Sequence, residues 1–253
     1  EWKLGQRIVA TKSPIYWDAA RVRLHAIHFL PLEVDTEERA FRAGQLHITE
    51  ALPPAKVGSY RDEKPSRLRI DPLLGTYFYR LNLSNPAFQD VRVRLALALA
   101  LDRSAIVEKI LHGGQLPAPA FTPPGIANYT PPAGFSHQPD EARRLLAEAG
   151  YPGGRDAKSG EPLVVYLDTT GSGMGDKSTV DWLAKQFRKL DVQLVVRATD
   201  YNRFQDKIRK GNAQLFYWGW NADYPDPENF LFLLYGPQGK VKSQGENASN
   251  YEN

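Results

Sequence analysis

Cysteine is absent from the 253-residue chain, which excludes thiolate nucleophiles, cysteine-ligated zinc and disulfides while leaving the compartment undecided. Histidine is sparse, at five residues. His25 and His28 fall in an expected strand, where their odd separation puts them on opposite faces, and His47, His112 and His137 stand alone, so no zinc site and no other cofactor is expected. No run approaches the roughly 20 apolar residues that span a bilayer, and Glu1-Trp-Lys-Leu-Gly5 does not read as a signal peptide. Charge of one sign is missing too. The 32 Lys and Arg face 29 Asp and Glu for a net charge of +3, spread without a long basic run, which argues against nucleic acid. What remains, 42% hydrophobic and 24% charged, is an ordinary globular composition, long enough for one large domain or two small ones. The start at Glu1 and the end at Asn253, with no closing helix or cap, read as an excised segment of something larger.

Catalytic patterns are thin. Gly171-Ser-Gly-Met-Gly-Asp-Lys-Ser178 is a phosphate-binding P-loop with one change, between an expected strand and an expected helix. Asp176 occupies the last glycine position, placing a carboxylate where backbone must approach a polyanion. A Gly-rich turn capped by Asp176 is the favoured reading, with a degenerate nucleotide-binding loop as the rival. Ser172 fits no Gly-x-Ser-x-Gly elbow, because Thr170 stands where the first glycine belongs. No nucleophile is paired with a base, and no enzyme activity is expected.

Along the chain, Gln6 to Thr11, Val22 to Leu30, Leu46 to Thr49 and Leu68 to Asp71 read as strands around a short helix from Thr36 to Gly44, a βαβ-like alternation. Tyr77 to Leu83 is the next strand. Val91 to Leu101 alternates at period two, yet its length, its Ala, Leu and Arg content and Asp90 as N-cap predict a helix, broken near Asp102 and stopped at Gly113-Gly114. The proline-rich stretch from Pro117 to Pro139 predicts irregular backbone. Helices at 140–150, 177–190 and 201–210 alternate with strands at 163–167, 192–198 and 215–220, which predicts crossovers and a largely parallel sheet covered by helices on both faces.

Leu215-Phe-Tyr-Trp-Gly-Trp-Asn-Ala-Asp-Tyr-Pro-Asp-Pro227 carries the most specific signal. Leu215 to Trp220 fits a strand buried on both faces, and the Asp/Pro cluster after it must turn. Asp223 then either starts the turn before Pro225 or, beside Trp218, Trp220 and Tyr224, meets a cation with several N–H donors, such as a ligand ammonium.

Gly219 to Pro227 resembles the ligand-loop motif of the oligopeptide- and dipeptide-binding proteins that serve ABC importers, the extracellular solute-binding proteins of family 5. Gly75-Thr-Tyr-Phe-Tyr-Arg-Leu-Asn82, Phe88 to Arg94 leading into Ala98 to Arg103, Phe121-Thr-Pro-Pro-Gly125 and Ala142 to Tyr151 match in the same order. The resemblance implies a truncated α/β fold of the type II periplasmic-binding kind, with a mostly parallel sheet flanked by helices. Residues 1–74 would be a remnant of lobe I, and 75–253 an incomplete, ligand-facing lobe III. It further implies Asp223 as partner of a peptide α-ammonium, Trp220 as pocket wall, and backbone at Gly219 and Asn221 bonded to the peptide main chain. Tyr201 either lines a side-chain pocket, as in the family, or is a core aromatic at a helix start. The chain departs from the family where basic residues can meet the peptide carboxylate: Tyr217 and Ile208 occupy those positions, Arg209 lies one residue off, and His47 stands where Asp is common. The implied protein is an extracytoplasmic, monomeric binder, peripheral to the membrane, that delivers oligopeptides to the transmembrane subunits of an ABC permease. A dipeptide, a nickel chelate or an opine-like compound is the alternative ligand.

Overall fold

The computed structural model describes residues 1–170 and 174–252. The chain divides into two compact units, Glu1–Lys64 and Pro65–Asn253; the lobe boundary expected at residue 74 falls inside the second.

In the first unit β1 (Trp2–Lys3), β2 (Arg7–Thr11) and β3 (Ala26–Phe29) pair in that order as an antiparallel meander. The βαβ-like reading is corrected here. After α1 (Val34–Arg42) the stretch Leu46–Thr49 is irregular and Ile48 is exposed, since a strand needs a neighbour to take its backbone bonds. The unit's buried residues are few: Val57 and Tyr60 of α2 (Val57–Asp62), and Glu38 of α1. The Tyr60 hydroxyl donates to Glu38 Oε1 at 3.0 Å, so the buried carboxylate is satisfied.

The second unit is built on a four-stranded sheet in the order β4 (Gly75–Leu81), β7 (Leu215–Asn221), β5 (Val164–Thr169), β6 (Gln193–Ala198). β5 is parallel to β6 and to β7, and β4 is antiparallel to β7. Helices cover both faces. Val165, Leu167 and Leu215 pack with residues of α3 (Val91–Leu99), α5 (Pro139–Glu148) and α6 (Met174–Arg188), while Phe216 packs on the other side with Phe204 and Ile208 of α7 (Tyr201–Arg209). The flanked, mostly parallel α/β arrangement is the expected one. Of the Gly171 to Ser178 turn, residues 171–173 lie outside the described residues; 174–178 already belong to α6, so the backbone at Asp176 is helical and the residue is not the N-cap expected of it.

α3 settles the conflict between period and propensity. Its buried residues Val93, Ala96 and Leu97, continued by the C-cap Ala100, follow the three-and-four spacing of a helix face, with Leu99 buried beside them, and Asp90 caps it by accepting from Arg92 N–H at 2.8 Å. Asp102 restarts the helix as α4 (Arg103–Ile106), accepting from Ala105 N–H. The run ends in a π turn over Val107–Leu111 at His112, whose φ of 54° is left-handed, one residue before the glycines expected to stop it. Residues 117–138 are irregular, as their prolines predict. Leu68–Asp71 is not a strand; no described strand lies beside it to pair.

Candidate functional site

β7 is positioned by its ladder with β4, whose register runs from Gly75 opposite Asn221 to Leu81 opposite Leu215. Asn82 N–H donates to Gln214 O at 2.9 Å and Ala222 N–H to Leu74 O at 2.8 Å, which fixes the phase of the ladder. Hydrogen-bonded pairs alternate along antiparallel strands, so Phe216, Trp218 and Trp220 spend their backbone groups on β4. Tyr217, Gly219 and Asn221 therefore turn N–H and C=O to the opposite edge. There β5 pairs with Leu215 and Phe216, and no strand among the described residues covers 219–221. The expectation of a strand buried on both faces is corrected: Leu215 and Phe216 are buried, while Tyr217 and Asn221 are exposed, because the sheet stops beside them.

Side chains divide between the two faces of this strand. Trp218 lies between the Phe204 ring, 5.9 Å away, and the Arg80 guanidinium, also 5.9 Å from its ring. Arg80 is buried, donates from Nη1 to Glu246 O at 2.9 Å and lies 5.2 Å from the Phe78 ring. Burial pulls its pKa down to about 10, with Glu246 acting in the opposite sense. On the other face Tyr77 stacks on Tyr217 at 5.8 Å, and Tyr79 backs Tyr217 at 5.3 Å. Burial, and secondarily Tyr217, pushes the Tyr79 hydroxyl well above the usual range. The Tyr77 ring lies so close over Gly219 that a Cβ there would sit 2.5 Å from it; glycine is what admits the ring.

The loop beyond β7 bears on the two readings of Asp223. Asp226 carries the turn: its Oδ1 accepts from Glu228 N–H at 2.8 Å, and its own N–H bonds Tyr224 O. Asp223 is exposed, and among the described residues its carboxylate has no hydrogen bond or ion pair. Its backbone N–H is held at 3.0 Å by Asn229 Oδ1, which also accepts from Trp220 Nε1 at 2.9 Å. Asn229 comes from α8 (Glu228–Leu231), and Phe232 meets the Trp220 ring edge-on at 5.4 Å. The Tyr224 hydroxyl bonds the Glu228 carboxylate, which raises its pKa. No Lys or Arg occurs between Leu215 and Gly239, so Asp223, Asp226 and Glu228 give the loop a negative potential that favours cations.

Of the six residues singled out in sequence, Trp220, Gly219, Asn221, Tyr217 and Asp223 lie together on β7 and its loop. Tyr201 stands apart in the first turn of α7; at 63% exposure it is not a core ring. Tyr77, Arg80 and Asn229 escaped the sequence reading. Tyr77 has a signal in retrospect, a bulky ring facing a strand glycine, whereas nothing local marks Asn229. Among the described residues no group of three or more His, Cys, Asp or Glu could hold a metal, and no helix is long and apolar enough to cross a membrane.

Comparison with known proteins gives the same direction. The family model described as bacterial extracellular solute-binding proteins, family 5 Middle, matches residues 1–242. The periplasmic oligopeptide-binding protein OppA of Escherichia coli K12 is 32% identical over 239 residues, covering 91% of this chain and 43% of that protein. The structure of the E. coli murein tripeptide binding protein MppA superposes with a TM-score of 0.88 at 28% identity, over 100% of this chain and 49% of that one. The Haemophilus influenzae OppA structure, in complex with RPPGFSPFR, does so with 0.84 at 27% identity, over 100% and 49%. The chain spans about half the length of the relatives it matches. It belongs to the bacterial extracellular solute-binding proteins of family 5.

Proposed function

We propose that this chain is the larger part of the peptide site of an extracytoplasmic solute-binding protein, which holds oligopeptides between two lobes and passes them to an ABC permease without chemistry. The observation that carries the reading is the edge of β7 at Gly219 and Asn221, which no strand among the described residues covers, leading to an unengaged carboxylate. A peptide laid along that edge adds a strand: Gly219 and Asn221 supply main-chain bonds, indifferent to side chains. Asp223 receives the α-ammonium in a charge-assisted bond and sets the register. Trp220 walls the first side-chain pocket, and the exposed Tyr201 ring lines another. The protein acts as a monomer at the membrane periphery, on the outer side.

Peptides with free and N-acetylated amino termini, titrated against wild type and Asp223→Asn in the full-length protein, test this. A buried charge left without its partner typically costs about 3–5 kcal/mol, so acetylation should weaken wild-type binding at least ~100-fold. The difference should largely vanish in Asp223→Asn, as a double-mutant cycle requires of a direct contact. Equal binding of both peptides by wild type would overturn the ammonium assignment.

A further inference from the structure

We propose that Asn229 is the positioning residue of the ammonium site, a proposal that rests on the peptide-binding reading above. Its side chain is 2% exposed, and an amide buried so deeply must place every polar atom. Oδ1 uses both lone pairs, one on the Trp220 indole N–H at 2.9 Å and one on the Asp223 backbone N–H at 3.0 Å. Asn229 also lowers the pKa of the Tyr224 hydroxyl, against the stronger upward pull of Glu228. Its own backbone N–H is tied to Asp226 O at 3.1 Å. One buried amide on α8 thus holds both the last ring of β7 and the loop that carries the carboxylate.

The consequence for ligand follows from what holds Asp223. Its carboxylate has no side-chain partner among the described residues, so its direction is set through its backbone. That backbone has two ties: the bond to Asn229, and the bond from Ala222 N–H to Leu74 O one residue earlier. Trp220 is likewise oriented by Asn229 on its N–H and by Phe232 on its ring. Asparagine suits the position because a neutral amide accepts twice without placing a second carboxylate behind Asp223. Leucine, of similar size, would release the indole and the loop together.

The test uses the full-length protein with free and N-acetylated forms of one peptide. In Asn229→Leu the dissociation constant of the free peptide should rise roughly 30-fold or more while that of the acetylated peptide changes less than about threefold, so that discrimination collapses. The Trp220 indole N–H resonance should also move. Asn229→Asp, which keeps both acceptor bonds, should retain most of the discrimination. Asn229→Ser, polar but too short to bridge both donors, should behave as Asn229→Leu and carries the test if the leucine variant does not fold. If wild type discriminates and the leucine or serine variant weakens both peptides alike with their ratio intact, Asn229 is only structural and the proposal is overturned. A wild type that does not discriminate overturns the peptide-ammonium reading itself, and the proposal with it.

Discussion

Gly219 shows how much a single side chain's absence can decide. The Tyr77 ring occupies the space a Cβ would need, 2.5 Å from where that carbon would stand, and stacks from there on Tyr217. Gly219→Ala should displace the ring and destabilise the fold by about 1–3 kcal/mol, the usual range for overpacking. Tyr77→Ala in the same chain should relieve most of that cost. Chemical denaturation of the four proteins of the cycle checks it, and additive losses would mean that the ring does not own the space. Residues of this kind define the limit of what could be read in advance. The motif from Gly219 to Pro227 brought out Asp223, Trp220 and Asn221 because their types are chemically distinctive. It could not tell that Asp226 holds the turn and leaves Asp223 unengaged, because both carboxylates are followed closely by proline. Asn229 was invisible, since a buried amide and a surface one look the same in sequence.

Among elements, the helices and the strands of the second unit were legible and the isolated strands were not. Propensity with a capping aspartate overrode a false period in α3, whereas Leu46–Thr49 and Leu68–Asp71 had strand-like composition but no neighbour. Periodicity reports a face and says nothing of a partner. The ends of the parallel strands are joined by a feature no local pattern announces. Asp168 of β5, fully buried, accepts from Arg197 Nη2 of β6 at 2.6 Å, from Lys207 Nζ of α7 at 3.0 Å and from Gln214 N–H just before β7 at 3.1 Å. The two cations remain partly exposed, at 36% and 28% of their side chains, so removing the carboxylate leaves charges that water can reach in part. Asp168→Ala should therefore cost about 2–3 kcal/mol, below the 3–5 of a fully buried pair. A urea midpoint within error of wild type would show that the cluster is decorative.

For the whole molecule, the α/β class and the family were readable from motifs in the right order, since order survives where contacts cannot be seen. The meander of β1 to β3 was not: two of its three strands were recognised, and the two-residue β1 is too short to carry any pattern. Exposure explains why the first unit misled. Trp2, Leu4, Ile15, Trp17 and Ile48 are all more than 70% exposed, so apolar residues there do not report a core within the unit, and the rule that they mark buried faces fails. In the second unit the same rule holds, because Leu167, Phe187, Leu215 and Phe216 are each buried to within 2%.

The phase of the β4–β7 ladder has a consequence in time. Backbone amides that are already bonded exchange their hydrogens slowly, and those that face an empty edge exchange fast. Without ligand, Phe216, Trp218 and Trp220 should therefore exchange slowly and Gly219 and Asn221 quickly, an alternation at single-residue spacing that no uniform loosening of the strand could produce. Bound peptide should slow the fast two and leave the slow three where they were. Residue-resolved exchange, read with and without peptide, would make the strand its own recorder of the ligand's register, each newly silent amide marking a place where the guest's backbone has settled.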